Sequence, residues 1–205
     1  MKLPLQDILD GIREWNKVRK DRELATFYLS TARYFSFECA DKGTSKYLHA
    51  YPGIYENHLY FFLIPSEFDS PDSKAVADID AHINATPVNI GMGNGGQELP
   101  EKEAQERIDN WDNNVKEWVS VQIDAPEGIF QAFAIPTDYI KEKVAIPYDA
   151  DFALRASTAA VSGYIADLVI VDKELKKSVY YDTVRPVPPF APLEGDFYLL
   201  QLAEN

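Results

Sequence analysis

Seven consecutive residues, His58-Leu59-Tyr60-Phe61-Phe62-Leu63-Ile64, place apolar or aromatic side chains on both sides of an extended chain. A strand of that kind has no wet face, so it suits a central position covered on two sides better than an edge. Its partner is the run Lys46 to Tyr51, reached across Pro52-Gly53-Ile54-Tyr55-Glu56-Asn57, whose Pro-Gly start reads as turn chemistry. The two runs are therefore expected to form a hairpin that pairs Tyr51 with His58, His49 with Tyr60 and Tyr47 with Phe62.

The material that covers this hairpin is legible on either side of it. Leu5, Ile8, Leu9, Ile12 and Trp15 repeat at helical spacing behind a first-turn Pro4, predicting an amphipathic helix from Leu5 to about Lys20. Ser70-Pro71 starts a second pattern, Ala75, Val76, Ile79 and Ile83, which runs to about Asn84. Ala104, Ile108, Trp111, Val115 and Trp118 step by four and three behind Pro100, Glu101 and Glu103, the clearest helix in the chain. Leu24 to Thr31 fits neither template cleanly. Arg33 to Cys39 alternates, with Phe35, Phe37 and Cys39 on one face, and predicts a strand with one solvated side. Gly128 to Ile135 reads as a further strand, Tyr164 to Val171 and Ser178 to Val184 as a second hairpin, and Phe197 to Leu202 as a last strand. Helices early and strands late predict an α+β fold: a mainly antiparallel sheet with an N-terminal helix and two mid-chain helices packed on it.

A chain of 205 residues suits one globular domain spanning 1–205, with its best internal hinge at 89–99, where Gly91-Met92-Gly93-Asn94-Gly95-Gly96 is the only glycine-dense stretch. That stretch satisfies G-x-G-x-x-G in letter. The apolar run Val88-Asn89-Ile90 before it is short for a strand and Pro100 starts the next helix late, so it reads as a loop and no phosphate-binding role is assigned. Phe62-Leu63-Ile64-Pro65-Ser66-Glu67-Phe68 and Phe133-Ala134-Ile135-Pro136-Thr137-Asp138-Tyr139 match in chemical type at every position. In each, proline ends a strand and a hydroxyl can cap the turn that follows, whether as a duplicated unit or as one device used twice.

Asp and Glu number 33 against 20 Lys and Arg, a formal charge of −13, which repels phosphate backbones and anionic lipid heads. Neither nucleic acid nor membrane is expected as a partner. The N-terminal residues lack the continuous apolar core of a signal peptide and Cys39 is the only cysteine, which together point to a reducing, cytoplasmic setting. Cys39 alternates with Phe35 and Phe37 and reads as a small core residue. Asp78 and His82 stand four apart on the expected second helix, a common surface pairing with no nucleophile beside it. Arg185-Pro186-Val187-Pro188-Pro189-Phe190-Ala191-Pro192 holds two P-x-x-P spacings, but its place between strands suits an extended surface connection better than a docking motif.

Two functional readings follow. No acid/base or nucleophile set, no metal-ligand set and no cofactor motif stands out, so catalytic residues, metal and cofactor are all assigned as none. Strong acidity with abundant tyrosine and tryptophan then favours a non-catalytic interaction protein that binds another, basic protein. The alternative is a small-molecule-binding protein or enzyme that uses the Tyr/His-rich hairpin face, Tyr47, His49, Tyr51, His58 and Tyr60, with Glu56 in the loop. In the expected register His49 and His58 are diagonal neighbours about 7 to 8 Å apart, near enough to share a ligand. That reading requires the six side chains to converge in a concave pocket; otherwise imidazole and phenol groups simply satisfy one another on a half-buried face. Oligomeric state is not legible.

Overall fold

The computed structural model describes residues 2–39, 43–71, 79–90, 101–138, 140, 143–172, 180–181, 184–188 and 197–204. Helices α1 (Leu5–Val18) and α2 (Arg22–Thr31) lead into β1 (Tyr34–Cys39), β2 (Tyr47–Tyr55), β3 (His58–Pro65), a 3-10 turn (Ser66–Phe68) and β4 (Asn84–Asn89). Then follow α3 (Glu101–Gln122), β5 (Ala132–Pro136), β6 (Lys143–Ala156), β7 (Tyr164–Asp172), β8 (Tyr180–Tyr181), β9 (Arg185–Val187) and α4 (Tyr198–Glu204). The nine strands lie in the order β8-β7-β6-β1-β4-β3-β2-β5-β9 with every ladder antiparallel. The α+β class expected from the sequence is therefore the class observed, and the sheet curls into a nearly closed barrel.

Curling gives the sheet two apolar sides with different covers. Phe35, Phe61, Phe133 and Phe152, from four different strands, meet on one side, with Phe35 and Phe61 stacked at 4.3 Å and Phe61 and Phe152 edge to face at 5.8 Å. Trp111, Val115, Trp118 and Val119 of α3 and Ala25 and Leu29 of α2 close this side. On the other side Ile8 and Ile12 of α1 and Leu199 and Ala203 of α4 cover Tyr51, Phe62 and Ile64. β3 is thus central and two-sided, as its sequence demands: Leu59, Phe61 and Leu63 enter one core and Tyr60, Phe62 and Ile64 the other. Burying each large apolar side chain is worth about 1.5–3 kcal/mol, so this strand is a principal source of stability.

Several expectations are corrected. The β2–β3 turn is only Glu56-Asn57, both with positive φ (47° and 61°), the signature of a two-residue type I′ hairpin. The register is therefore Tyr55 with His58, Tyr51 with Phe62 and His49 with Ile64. Pro52 and Gly53 lie inside β2, not in the turn. β5 pairs with β2 only from Tyr47 to Ala50, so Pro52 occupies a stretch where one side of β2 has no ladder, a position proline tolerates. Gly53 lies where α1 crosses, and a Cβ on it would strike the Phe62 ring and come within 3.0 Å of the Gly11 backbone.

Leu24 to Thr31 belongs to α2, whose Asp21 caps Glu23 and Leu24 N–H groups at 3.0 Å each. Asn84 to Asn89, expected as a helix end and a loop, is strand β4, wedged between β1 and β3. Of the helix expected from Ser70, residues 79–82 are helical and 72–78 lie outside the described residues, as do 91–100 with the glycine stretch. β6, 14 residues long, was not anticipated: Pro147 and the alternating Asp149 and Asp151 disguise it. The segment expected as a last strand is helix α4, because Leu199 and Ala203, four apart, are its buried positions. The two similar Pro-ended segments finish β3 and β5 on opposite sides of β2, at the level of Tyr47 and Leu48. Ser45 is gripped from both: its Oγ accepts from Glu67 N at 3.0 Å and its carbonyl from Thr137 Oγ1 at 2.5 Å.

Candidate functional site

The four-residue slip in the hairpin register is even, so it leaves each side chain on the face the sequence assigned while moving its neighbours. Tyr47, His49, Tyr51, His58 and Tyr60 do share one face, the side covered by α1 and α4. They are spread along it. His58 stands exposed at the turn with Nδ1 against the Glu56 carbonyl at 2.8 Å, and Glu56 is exposed beside it. His49 lies six residues down β2 from His58's partner Tyr55, about 20 Å away at strand rise, so the two imidazoles cannot meet one ligand. Tyr47 and Tyr60 are half-buried, Tyr60 stacked on Phe62 and edge-on to Tyr55.

His49 and Tyr51 are brought together on a residue the sequence reading missed. Asp69, directly after the 3-10 turn, receives His49 Nδ1 at 2.5 Å and the Tyr51 hydroxyl on Oδ2, and Leu199 N donates to Oδ1 at 3.1 Å. All three side chains are fully buried. Phe197, at the positive φ of 44°, lays its ring on His49 at 4.1 Å and its edge toward Tyr51. Asp69 accordingly caps the N-terminal end of α4 from a distant segment, where a carboxylate is favoured by the helix dipole. Burial, then the Asp69 charge, then the hydrogen bond to it hold the Tyr51 phenol well above the ordinary tyrosine range. Among the described residues His49 Nε2 has no hydrogen-bond partner, and the ring is fully buried. The trio therefore fastens α4 to the sheet.

Among the described residues no group of three or more His, Cys, Asp or Glu is placed to hold a metal, and no helix is long and apolar enough to cross a membrane. His82 stacks on Phe68 at 3.6 Å, and Asp78, its expected partner, lies outside the described residues. Phe35 and Phe37 are buried in β1 as their alternation implies, while the side chain of Cys39 also lies outside the description.

A surface feature stands out on α2. This helix buries Ala25 and Leu29 against α3 and leaves Leu24 45% and Phe27 66% exposed, one turn apart. Arg22 bonds Ser120 and Asp124 near the end of α3 while Arg33 pairs with Asp112 at 3.0 Å, so α2 runs antiparallel along the later half of α3. Glu23 on α2 and Glu117 on α3 are exposed in the same stretch. The signal was present in the sequence: once Ala25 and Leu29 are set at helical spacing, Leu24 and Phe27 fall on the opposite side.

No family model, no curated protein and no solved structure matches this chain.

Proposed function

We propose that this is a non-catalytic, acidic interaction protein that binds another protein of basic character, in a reducing, cytoplasmic setting. The observation that carries the reading is the Leu24 and Phe27 pair, an aromatic and an aliphatic anchor exposed side by side on a chain of formal charge −13. Isolated apolar residues on a surface need no explanation, but two apolar residues three apart on one helix have the spacing by which a helix docks in a groove, and phenylalanine is enriched at interfaces. The surrounding negative field speeds encounter with a cationic partner and discourages anionic ones.

The test is affinity capture from native lysate at low ionic strength with the full chain and with Leu24→Ser/Phe27→Ser. A specific basic protein retained by the parent chain and lost by the double variant, whose thermal midpoint stays within a few degrees, is the expected result. Recovery of no specific partner, or of one indifferent to both substitutions, overturns the reading.

A further inference from the structure

Among the described residues the curled sheet does not close on itself, and at the seam between β7 and β9 there is a cavity of about 220 Å³. The two strands approach without a ladder between them. Val187 O accepts from Gln131 N at 2.7 Å, so Val187 turns its backbone polar groups toward β5 and strand alternation turns those of Pro186 toward β7. Proline has no N–H to donate, and Pro188 lacks one as well, so β9 offers β7 a blunt edge. Among the described residues β8 pairs with β7 at Ile170 and Val171, and the stretch from Tyr164 to Ala166 lies beside the seam.

Tyr164 and Ala166 form one wall of the cavity, Pro186 and Pro188 another, and Trp118 and Phe130 bring their rings to it, 6.2 Å apart and inclined by 23°. Trp118 is held in place by its Nε1 donating to Tyr164 O at 3.3 Å. The lining carboxamide, Gln122, is turned toward the protein: Nε2 gives one hydrogen to Gly128 O at 3.0 Å, and Oε1 lies 3.3 Å from Ser162 Oγ, whose proton goes to Tyr164 O at 2.8 Å. Recognition at this place therefore rests on apolar contact and shape. Charge of either sign on a ligand is opposed by the desolvation that entry into a mainly apolar lining requires. Glu127, exposed at the rim, and the overall −13 repel anions. The Arg19 guanidinium lies beneath Gly128, where it is bonded to the carbonyls of Glu127 and Ile129.

We propose that the β7–β9 seam binds an uncharged, flat, bicyclic aromatic molecule of about indole size. An apolar cavity of about 150 Å³ accommodates one benzene ring, and 220 Å³ with aromatic walls admits a second fused ring. This site is separate from the α2 surface and stands whether or not that surface binds a protein.

The experiment is a titration of the ¹⁵N-labelled full chain with indole. The Trp118 indole N–H and the amides of residues 159–166 are expected to shift with submillimolar half-saturation, about what nine buried heavy atoms provide, while Gly11 and Gly53 beyond the sheet do not. Ala160→Trp, which fills the mouth, is expected to weaken binding about tenfold or more with the thermal midpoint kept. Independently of any variant, the charged analogues tryptamine and indole-3-acetate bind the parent chain about tenfold more weakly than indole. No shift through the millimolar range, shifts scattered over the surface, or equal binding of a charged analogue overturns the proposal.

Discussion

Tyr51 is sealed from water with a carboxylate against its hydroxyl, and both conditions oppose loss of its proton. Its folded pKa is raised above the ordinary 10.0, so its contribution to stability is complete below that pH and is lost as pH rises above it. At neutral pH, Tyr51→Phe is expected to cost about 1.5–3 kcal/mol, the worth of a hydrogen bond to a charged acceptor. Above the ordinary tyrosine range the gap between parent and variant shrinks by about 1.4 kcal/mol per pH unit, as read in urea titrations from neutral to alkaline pH. A gap independent of pH would show that Tyr51 ionises as freely folded as unfolded. The pairing of His49 with Tyr51 on one face was legible from strand alternation, which survives an even register slip. Asp69 was not legible: it lies 20 and 18 residues from its partners, and nothing in Phe68-Asp69-Ser70 announces that the chain returns beneath β2.

Among the elements, the crossing of α1 over β2 depends on two residues without side chains. Gly11 and Gly53 let helix and strand approach until a Cβ at Gly11 would stand 3.1 Å from the Phe62 ring edge. Gly53→Ala is expected to destabilise by about 1–3 kcal/mol through overpacking, and Phe62→Leu in the same chain, which withdraws the ring, to return part of that loss. Denaturant midpoints of the single and double variants decide it; strictly additive losses would mean the two residues do not touch. Pro52-Gly53 misled the reading of the hairpin because proline and glycine mark turns in isolation, whereas here one tolerates a missing ladder and the other a close helix. β6 escaped notice for a related reason. Asp149 and Asp151 look like solvent positions, yet both are buried on the face away from Phe152 and Leu154, Asp149 accepting from Ser36 Oγ at 2.6 Å. α4 looked like a strand because six residues, Phe197 to Leu202, cannot separate the two periods; the Asp69 cap and the apolar face of α1 select the helix.

Across the whole molecule the excess of acid acts on stability and on association with opposite dependence on salt. A formal −13 repels itself in the folded state, so raising ionic strength from near zero to about 0.15 M is expected to raise the thermal midpoint by a few degrees. The same salt weakens capture of a basic partner, so a midpoint that falls with salt, or capture that strengthens with it, would show that net charge is not the governing term. The residues from 58 to 64 demanded a two-sided central strand, and the apolar repeats of α1 and α3 demanded helices with one covered face. Those requirements determine an antiparallel α+β protein, because each is a local periodicity expressed within a few turns or a few strand residues. The tertiary structure alone decided that β4 enters between β1 and β3, that Asp69 gathers His49, Tyr51 and α4, that Leu24 and Phe27 remain outside, and that β7 and β9 stop short of closing. Each of these is a contact between segments far apart in the chain, fixed by how the sheet curls and which faces find cover, and no local pattern encodes it.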